Sequence, residues 1–594
     1  MNDANDHRIA RRTVLRGAAT VGGGVLLSAA GGNPLRATPP TPSSGRRVAV
    51  FGAGIAGLTT ATELVERGFE VTVFEATSEF GGKARSFSIP DTATGGRNPL
   101  PGEHGFRIFQ GFLQHVPDTM RRIPVPGNPN GVWDNLVGTS AVRLCRPDAE
   151  DAVIPLPYLH DEYRLIDPAT LGHTLATLLG IGTAAPVELM SLVQRLWVFA
   201  TSSDERRFGQ WEYTTWREFV RADGKPQVYQ QLASHFPPQF FASVRETEGS
   251  SRTIARWMLA FIYNILGRAN DGPPTRVLNA PTNEAWFDHW VSYLRSRGVE
   301  FVLGHAVEAF EVSGDRIGGA RVRGANGRSR VEADWYVCAL PGNRARELWS
   351  PQILALDPGL ERMNGLSFSW MVGGQLFLRR RRRTVPGHAG YIYAPWALAS
   401  VDQAQFWPGR DFPRDYGDGQ VQDCLSIDIM DWHTPGVLYG KPATHCSPEE
   451  IGNEVIAQIN MHLNDRGVDG INESDVHSWH LDPAIEWDGQ ENTNATPMLS
   501  NSVGAWDSRP EARTAIPNFV LAGDYVHTDI DARCMEGANE GARHAVNALL
   551  ELSGSPAAPV PTWTMYTPPE LEPLRRADLD RYRRGLPNQF DLLP

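Results

Sequence analysis

The chain of 594 residues is too long for one compact domain and should fold as two or three packed units. Its 41% hydrophobic, 9% aromatic and 21% charged residues are ordinary globular composition, which excludes collagen, coiled coil and disorder as the main organisation. A formal net charge of −12 gives no reason to expect a nucleic-acid partner, and five scattered cysteines without a CxxC pair point to neither a disulfide framework nor a zinc site.

Residues 1–44 read as an address and a linker. Arg8 to Arg16 is basic, Gly17 to Ala30 is a short apolar stretch rich in Gly and Ala, and a Pro/Ser-rich run comes after it. A basic region ahead of a short apolar one is a targeting layout. The pair Arg11-Arg12 makes it resemble a twin-arginine export signal, although Ala10 and Val14 depart from that pattern. The expected location is therefore the bacterial periplasm or the extracellular side, or the cytoplasm if the signal is not functional. No run approaches ~20 apolar residues, so no membrane span is expected.

Residues Arg46 to Phe51 form a short buried-strand pattern, succeeded by Gly52-Ala53-Gly54-Ile55-Ala56-Gly57, a GxGxxG sequence. A helix should run from there to about Arg67, stopped by Gly68, and a second strand should end at Glu75. Gly52 permits the tight turn, Gly54 lets the backbone approach a pyrophosphate, and Gly57 lets helix and strand pack closely. The helix start faces the phosphates. Glu75 lies 23 residues beyond the first glycine, where an acid can accept hydrogen bonds from ribose hydroxyls.

The residues just beyond this strand separate FAD from NAD. Glu75-Ala76 with Gly81-Gly82-Lys83-Ala84-Arg85-Ser86 resembles the E-A-x4-G-G-[RK]-x-x-[ST] extension of the flavin amine oxidase and phytoene desaturase superfamily. That resemblance implies FAD as cofactor, with the second glycine pair and its basic residues against it. Near the other end, a strand over Ile516 to Ala522 leads to Gly523-Asp524, and Met535-Glu536-Gly537-Ala538 opens a helix running to about Glu551. In the family the Asp bonds the ribityl or pyrophosphate region, and the helix start points at the N1/O2 edge of the flavin, where reduction places negative charge. A strand pair around Ala306 to Val312 and a buried strand over Trp335 to Pro341 lie between, and the position of Val307 contacts the adenine side through its backbone in the family. The fold class is then α/β: a discontinuous Rossmann-like FAD-binding domain (45–140, 276–345, 501–552) with an inserted α+β substrate domain (helical part 141–275, sheet part 346–500) and a C-terminal tail, 553–594.

Gly102 to Phe112, Asn279 to Trp286 and the Ala522-Gly523-Asp524-Tyr525/Met535-Glu536-Gly537-Ala538 pair are similar to the plant-type phytoene and zeta-carotene desaturase branch. Glu103, His104 and Arg107 are placed near the flavin ring as candidate catalytic residues, the alternative being that they brace the FAD loop. The apolar stretches Leu189–Phe199 and Trp257–Leu266 are either core helices or walls of a long hydrophobic tunnel. The Arg379–Arg383 run and the basic segment Leu571–Arg584 are solvated faces or contacts to anionic lipid, a possible peripheral membrane contact. No second strand-linked GxGxxG is present, so electrons should pass to O2 or a quinone and not to a resident NAD(P)H domain.

The expected activity is FAD-dependent removal of hydride from a hydrophobic, isoprenoid or carotenoid-like small molecule. Two alternatives stand beside it. One is an exported amine or L-amino-acid oxidase producing peroxide, which requires a polar pocket and, for amino acids, an arginine clamp such as Arg107 could supply. The other is a non-catalytic flavin-bound lipid carrier or assembly factor.

Overall fold

The computed structural model describes residues 46–147, 150–156, 166–178, 187–242, 244–463 and 470–591. The twin-arginine-like segment lies outside the described residues.

Strand β1 (Arg47–Phe51) buries four successive residues, as a strand covered on both faces does. The chain turns at Gly52 into helix α1 (Ile55–Val65), buried along its whole length. Gly68, in the left-handed region at φ +79, reverses the chain into β2 (Glu70–Phe74), parallel to β1. After helix α2 (His115–Arg122) the chain leaves this lobe for the hairpin β3 (Ala141–Cys145) and β4 (Ala152–Pro155), then helices α3 (Val187–Ala200) and α4 (Ser251–Ile265). It returns for β5 (Glu300–Val302) and β6 (Trp335–Cys338). It leaves again for β7 (Val372–Leu378), β8 (Gly387–Tyr391), β9 (Leu398–Asp402), β10 (Asp423–Ile429), α5 (Pro448–Leu463) and β11 (Val476–Leu481). Strand β12 (Phe519–Leu521) and helix α6 (Met535–Ser553) complete the first lobe, and α7 (Glu572–Arg583) ends the fold.

Two sheets organise these elements. The first is parallel, in the order β5-β2-β1-β6-β12, so its five strands come from three separate stretches of chain. A small antiparallel sheet of Ala306–Ser313, Arg316–Gly324 and Gly327–Val331 is inserted between β5 and β6. Gly319 lies within the second of these strands because the Arg330 side chain crosses it, where a Cβ would come within 2.7 Å.

The second sheet has the order β11-β7-β10-β9-β8-β3-β4. The 141–275 stretch therefore adds two strands to this sheet as well as helices, because β3 pairs in parallel with β8. One face buries Leu376 and Ile427 beneath Ile451 and Val455 of α5. On the other face the register aligns Gly373, Asp428, Ala399, Gly390 and Leu144 in one row. By strand alternation Gln375, Ser426, Val401, His388 and Val142 share that face.

The tail is docked. Asp578 of α7 is fully buried and accepts from Arg206 Nε at 2.9 Å, Ser203 N at 2.8 Å and Asn588 Nδ2 at 2.9 Å. In the Arg379–Arg383 run, Arg382 is buried, while Arg379, Arg381 and Arg383 face solvent.

Candidate functional site

Two glycine turns meet in front of α1. Gly52 has φ +110, and a Cβ there would stand 2.6 Å from the Ala339 carbonyl oxygen. A Cβ on Gly57 would stand 1.8 Å from the Gly52 oxygen, so these two glycines are required by the protein itself. Gly54 is different: its Cβ would meet nothing closer than Gly82 Cα at 3.7 Å. Gly81 donates its N–H to the Ala53 carbonyl at 2.9 Å, and Gly82 sits against Gly54 at φ +56. Helix α1 has no side-chain cap, so the N–H groups behind Ile55 and Ala56 face this opening.

Glu75 receives the Ala53 N–H at Oε2 (2.8 Å) and the Thr77 N–H at Oε1 (3.0 Å), tying the end of β2 to the glycine turn. Ala76 is exposed beside it. Val307 lies at a register break between Val307 and Ala309, two residues beyond His305, whose N–H reaches the Glu75 carbonyl at 2.7 Å.

The second turn brings charge. Lys83 is half-buried and its ammonium contacts the Pro497 carbonyl. Burial, with Arg533 nearby, lowers its pKa against the opposing pull of Asp524. Arg85 donates to the Gly82 carbonyl at 2.8 Å and keeps a buried Nε without a partner. Arg533 is buried, with Nε and Nη1 unpartnered, and burial pushes it down to about 10. Lys83 and Arg533 thus flank Asp524, which comes directly after Gly523 at the end of β12. One buried and one half-buried cation against one carboxylate leave an uncompensated positive site between the glycine turns and the start of α6. That surplus, the unfilled cradle at Gly54 and the uncapped helix fit a dinucleotide bearing anionic phosphates.

At the start of α6, Met535 and Ala538 are half-buried, and Gly537 donates to Cys534 Sγ at 3.4 Å. Glu536, expected among the cofactor residues, turns its side chain elsewhere. Its carboxylate accepts the N–H groups of Gln114, His115 and Val116 at 2.6–2.9 Å, together with His115 Nδ1 at 2.8 Å. It is an N-terminal clamp on α2, where the helix dipole favours an anion.

The 102–112 segment separates the cradle from the seven-stranded sheet. Glu103 is buried and held by Thr282 through its N–H (2.9 Å) and hydroxyl (2.9 Å). Burial pushes its carboxyl up, against Arg107 and Thr282. Arg107 donates to the backbone carbonyls of Ala84 (3.2 Å), Lys83 (3.0 Å) and Gly105. Both residues therefore brace the loops around the cradle, and Arg107 has no free fork for a substrate carboxylate. His104 differs. Its Nδ1 is 2.7 Å from Asp482 Oδ2, and its Nε2 is buried and unpartnered. Burial works to raise Asp482, but the hydrogen bond and charge of His104 outweigh it and hold the carboxyl below its usual range. Asp428 lies under the same loop, and burial pushes it up to about 7 against Arg107.

A cavity of about 70 Å³ lies between the sheet face bearing Val142, Leu144 and His388 and the helices bearing Leu192, Met258, Phe261 and Ile262. A second, smaller cavity, lined also by Gln231, His235 and Gln239, shares Phe236 and Phe240 with it and runs to Ala397 and Met430. Those two residues pack with Phe106 and Met371, beside the 102–112 segment. Both apolar helices of the sequence thus serve as core on one side and cavity wall on the other. Asp482, Asp428 and His388 were not legible as site residues, since no local motif surrounds them, whereas Thr282 lies in the Asn279–Trp286 segment without standing out in it. Arg533 could have been noticed, because it lies two residues before Met535-Glu536-Gly537-Ala538.

A parallel sheet with a glycine cradle at its carboxyl edge, joined to a second lobe with an apolar cavity, defines a dinucleotide-binding oxidoreductase. Comparison with known proteins agrees. Residues 50–123 match the NAD(P)-binding Rossmann-like domain model, and residues 274–550 match that of flavin containing amine oxidoreductase. The chain is 38% identical over 545 residues to a zeta-carotene desaturase of Synechocystis sp., covering 85% of this chain and 97% of the relative. It is 24% identical over 538 residues to a probable zeta-carotene desaturase of Synechococcus elongatus, covering 85% and 98%. Cyclohexylamine oxidase from Brevibacterium oxydans shares the fold, with a TM-score of 0.55 at 13% identity, covering 86% of this chain and 99% of that one. The chain belongs to the flavin-containing amine oxidoreductase family, in the superfamily of amine oxidases and phytoene desaturases, and is an FAD-dependent oxidoreductase.

Proposed function

We propose that this protein is a desaturase-like dehydrogenase acting on an isoprenoid or carotenoid-like chain. The observation that carries this reading is the cavity lined by apolar side chains and His388, next to a second, more polar cavity (Gln231, His235, Gln239) that reaches Ala397 and Met430 beside the 102–112 segment. The 38% identity to a zeta-carotene desaturase supports it. An amine or amino-acid oxidase would need a polar pocket and a carboxylate clamp, and Arg107 is committed to loop carbonyls.

In this reading Gly52, Gly54, Ile55, Ala56 and Gly57 receive the pyrophosphate of FAD, Glu75 and Ala76 its ribose side, and Val307 its adenine. Gly81, Gly82, Lys83 and Arg85 close over the middle of the cofactor. Gly523, Asp524 and the backbone of Met535, Glu536, Gly537 and Ala538 hold its flavin half. Bound FAD supplies a ring that accepts a hydride. The chain holds a C–H bond in place and excludes water. Forming a double bond also releases a proton, and His104 Nε2 accepts it while Asp482 fixes the ring through Nδ1. Electrons then pass to O2 or a quinone.

Mixing the holoprotein anaerobically with zeta-carotene should bleach the flavin absorbance. No bleaching with isoprenoids, together with peroxide release from amines, would overturn the reading. His104→Asn should keep FAD and lower turnover by about 10²–10⁴-fold. Undiminished turnover would remove His104 as proton acceptor.

We also propose export through the Arg11-Arg12 segment. Cell fractionation of the variant with both arginines changed to lysine tests this, and an unchanged distribution would refute it. Exposed Val437, Leu438 and Tyr439 offer an apolar tip for peripheral contact with a membrane holding the substrate, which vesicle flotation reads.

A further inference from the structure

His388 is an anomaly in its surroundings. It is 2% exposed, both its ring nitrogens are buried without a partner, and it lines the apolar cavity between the sheet and the helices. Of the fifteen lining residues it alone carries a side-chain N–H or nitrogen acceptor. The Phe240 ring stacks on it at 6.2 Å and 22°, which fixes the plane of the imidazole. A packing role would be filled better by Leu or Phe, since an unpaired buried polar group is destabilising. A trapped water needs two to four polar partners, and the side chains here offer one.

We infer that His388 anchors a hydroxyl group at one end of the ligand, so that the preferred substrate is an isoprenoid alcohol and not a pure hydrocarbon. This rests on the isoprenoid reading of the cavity and deepens it. Burial holds the ring neutral, pushed down to about 4. A neutral imidazole offers one donor and one acceptor, and a hydroxyl matches both, whereas a carboxylate would face an apolar pocket without a countercharge. His388 shares its sheet face with Asp428, which lies against Gly105 of the 102–112 segment. It is two strands across and two residues along, about 12 Å away by strand geometry. The anchored end is therefore remote from the bond presented near His104.

The test compares binding of geranylgeraniol to the FAD-loaded protein with that of the hydrocarbon in which a methyl replaces its hydroxymethyl, read by quenching of tryptophan fluorescence. The alcohol should bind about tenfold more tightly. His388→Leu should abolish that preference, and His388→Gln should restore part of it. Equal binding of the two ligands to the wild type, which needs no variant to fold, overturns the anchor while leaving the isoprenoid cavity standing. A preference unchanged in His388→Leu overturns it as well. If neither ligand binds, the isoprenoid reading falls and the anchor with it.

Discussion

Gly54 differs from Gly52 and Gly57 in what restrains it. Its backbone is extended, at φ −80 and ψ −172, and a Cβ would meet only ordinary contact with Gly82. Gly54→Val should therefore fold, with unchanged circular dichroism, yet purify with only background flavin absorbance because the side chain fills the cradle. Gly57→Ala should instead damage the fold, by displacing the Gly52 carbonyl. Stoichiometric FAD in folded Gly54→Val would contradict the cradle. Asp428 carries a pH dependence. Its unfolded pKa lies near 3.8 and its folded one near 7, so the native state holds a proton that the unfolded chain releases between those values. Stability from this group is undiminished at low pH and falls as pH rises from about 4 to about 7. Asp428→Asn should match the wild type near pH 4 and exceed it above about pH 7, by at most about 4 kcal/mol, in melts across that range. A constant difference at all pH values would refute the assignment. The glycines were legible because their roles are local. His104 was singled out without its partner, since Asp482 lies 378 residues away and only β11 brings it near.

Among the elements, helix α7 shows what composition leaves out: Arg576, Arg583 and Arg584 are exposed as a solvated basic face would have them. The residue that docks it is Asp578, which ties α7 to the Ser203–Arg206 segment and to Asn588. Removing it strands the buried Arg206 guanidinium. Asp578→Ala should cost about 3–5 kcal/mol and loosen the helical layer, read as a lowered melting temperature and faster proteolysis of the C-terminus. FAD should remain bound, because the cradle residues do not touch this clasp. A melting temperature equal to that of the wild type would show the clasp to be dispensable. The apolar helices α3 and α4 were legible as buried, but apolar periodicity cannot say which stripe meets protein and which meets a void.

For the whole molecule, the discontinuous nucleotide lobe was readable because each of its pieces carries its own strand signature. The membership of β3 and β4 in the distant sheet was not, because pairing with β8 is a long-range choice that short strands do not advertise. The strand order β5-β2-β1-β6-β12 has a consequence for how the protein is made. The edge strand and the Gly523-Asp524 corner emerge from the ribosome after almost nine-tenths of the chain, long after the first glycine turn. Until then the nascent chain has half a nucleotide pocket and nothing to close it. Cofactor capture is therefore a terminal event of biosynthesis, coincident with completion of the lobe, and a ribosome that stalls upstream of Phe519 leaves a product that cannot be rescued by supplying more flavin.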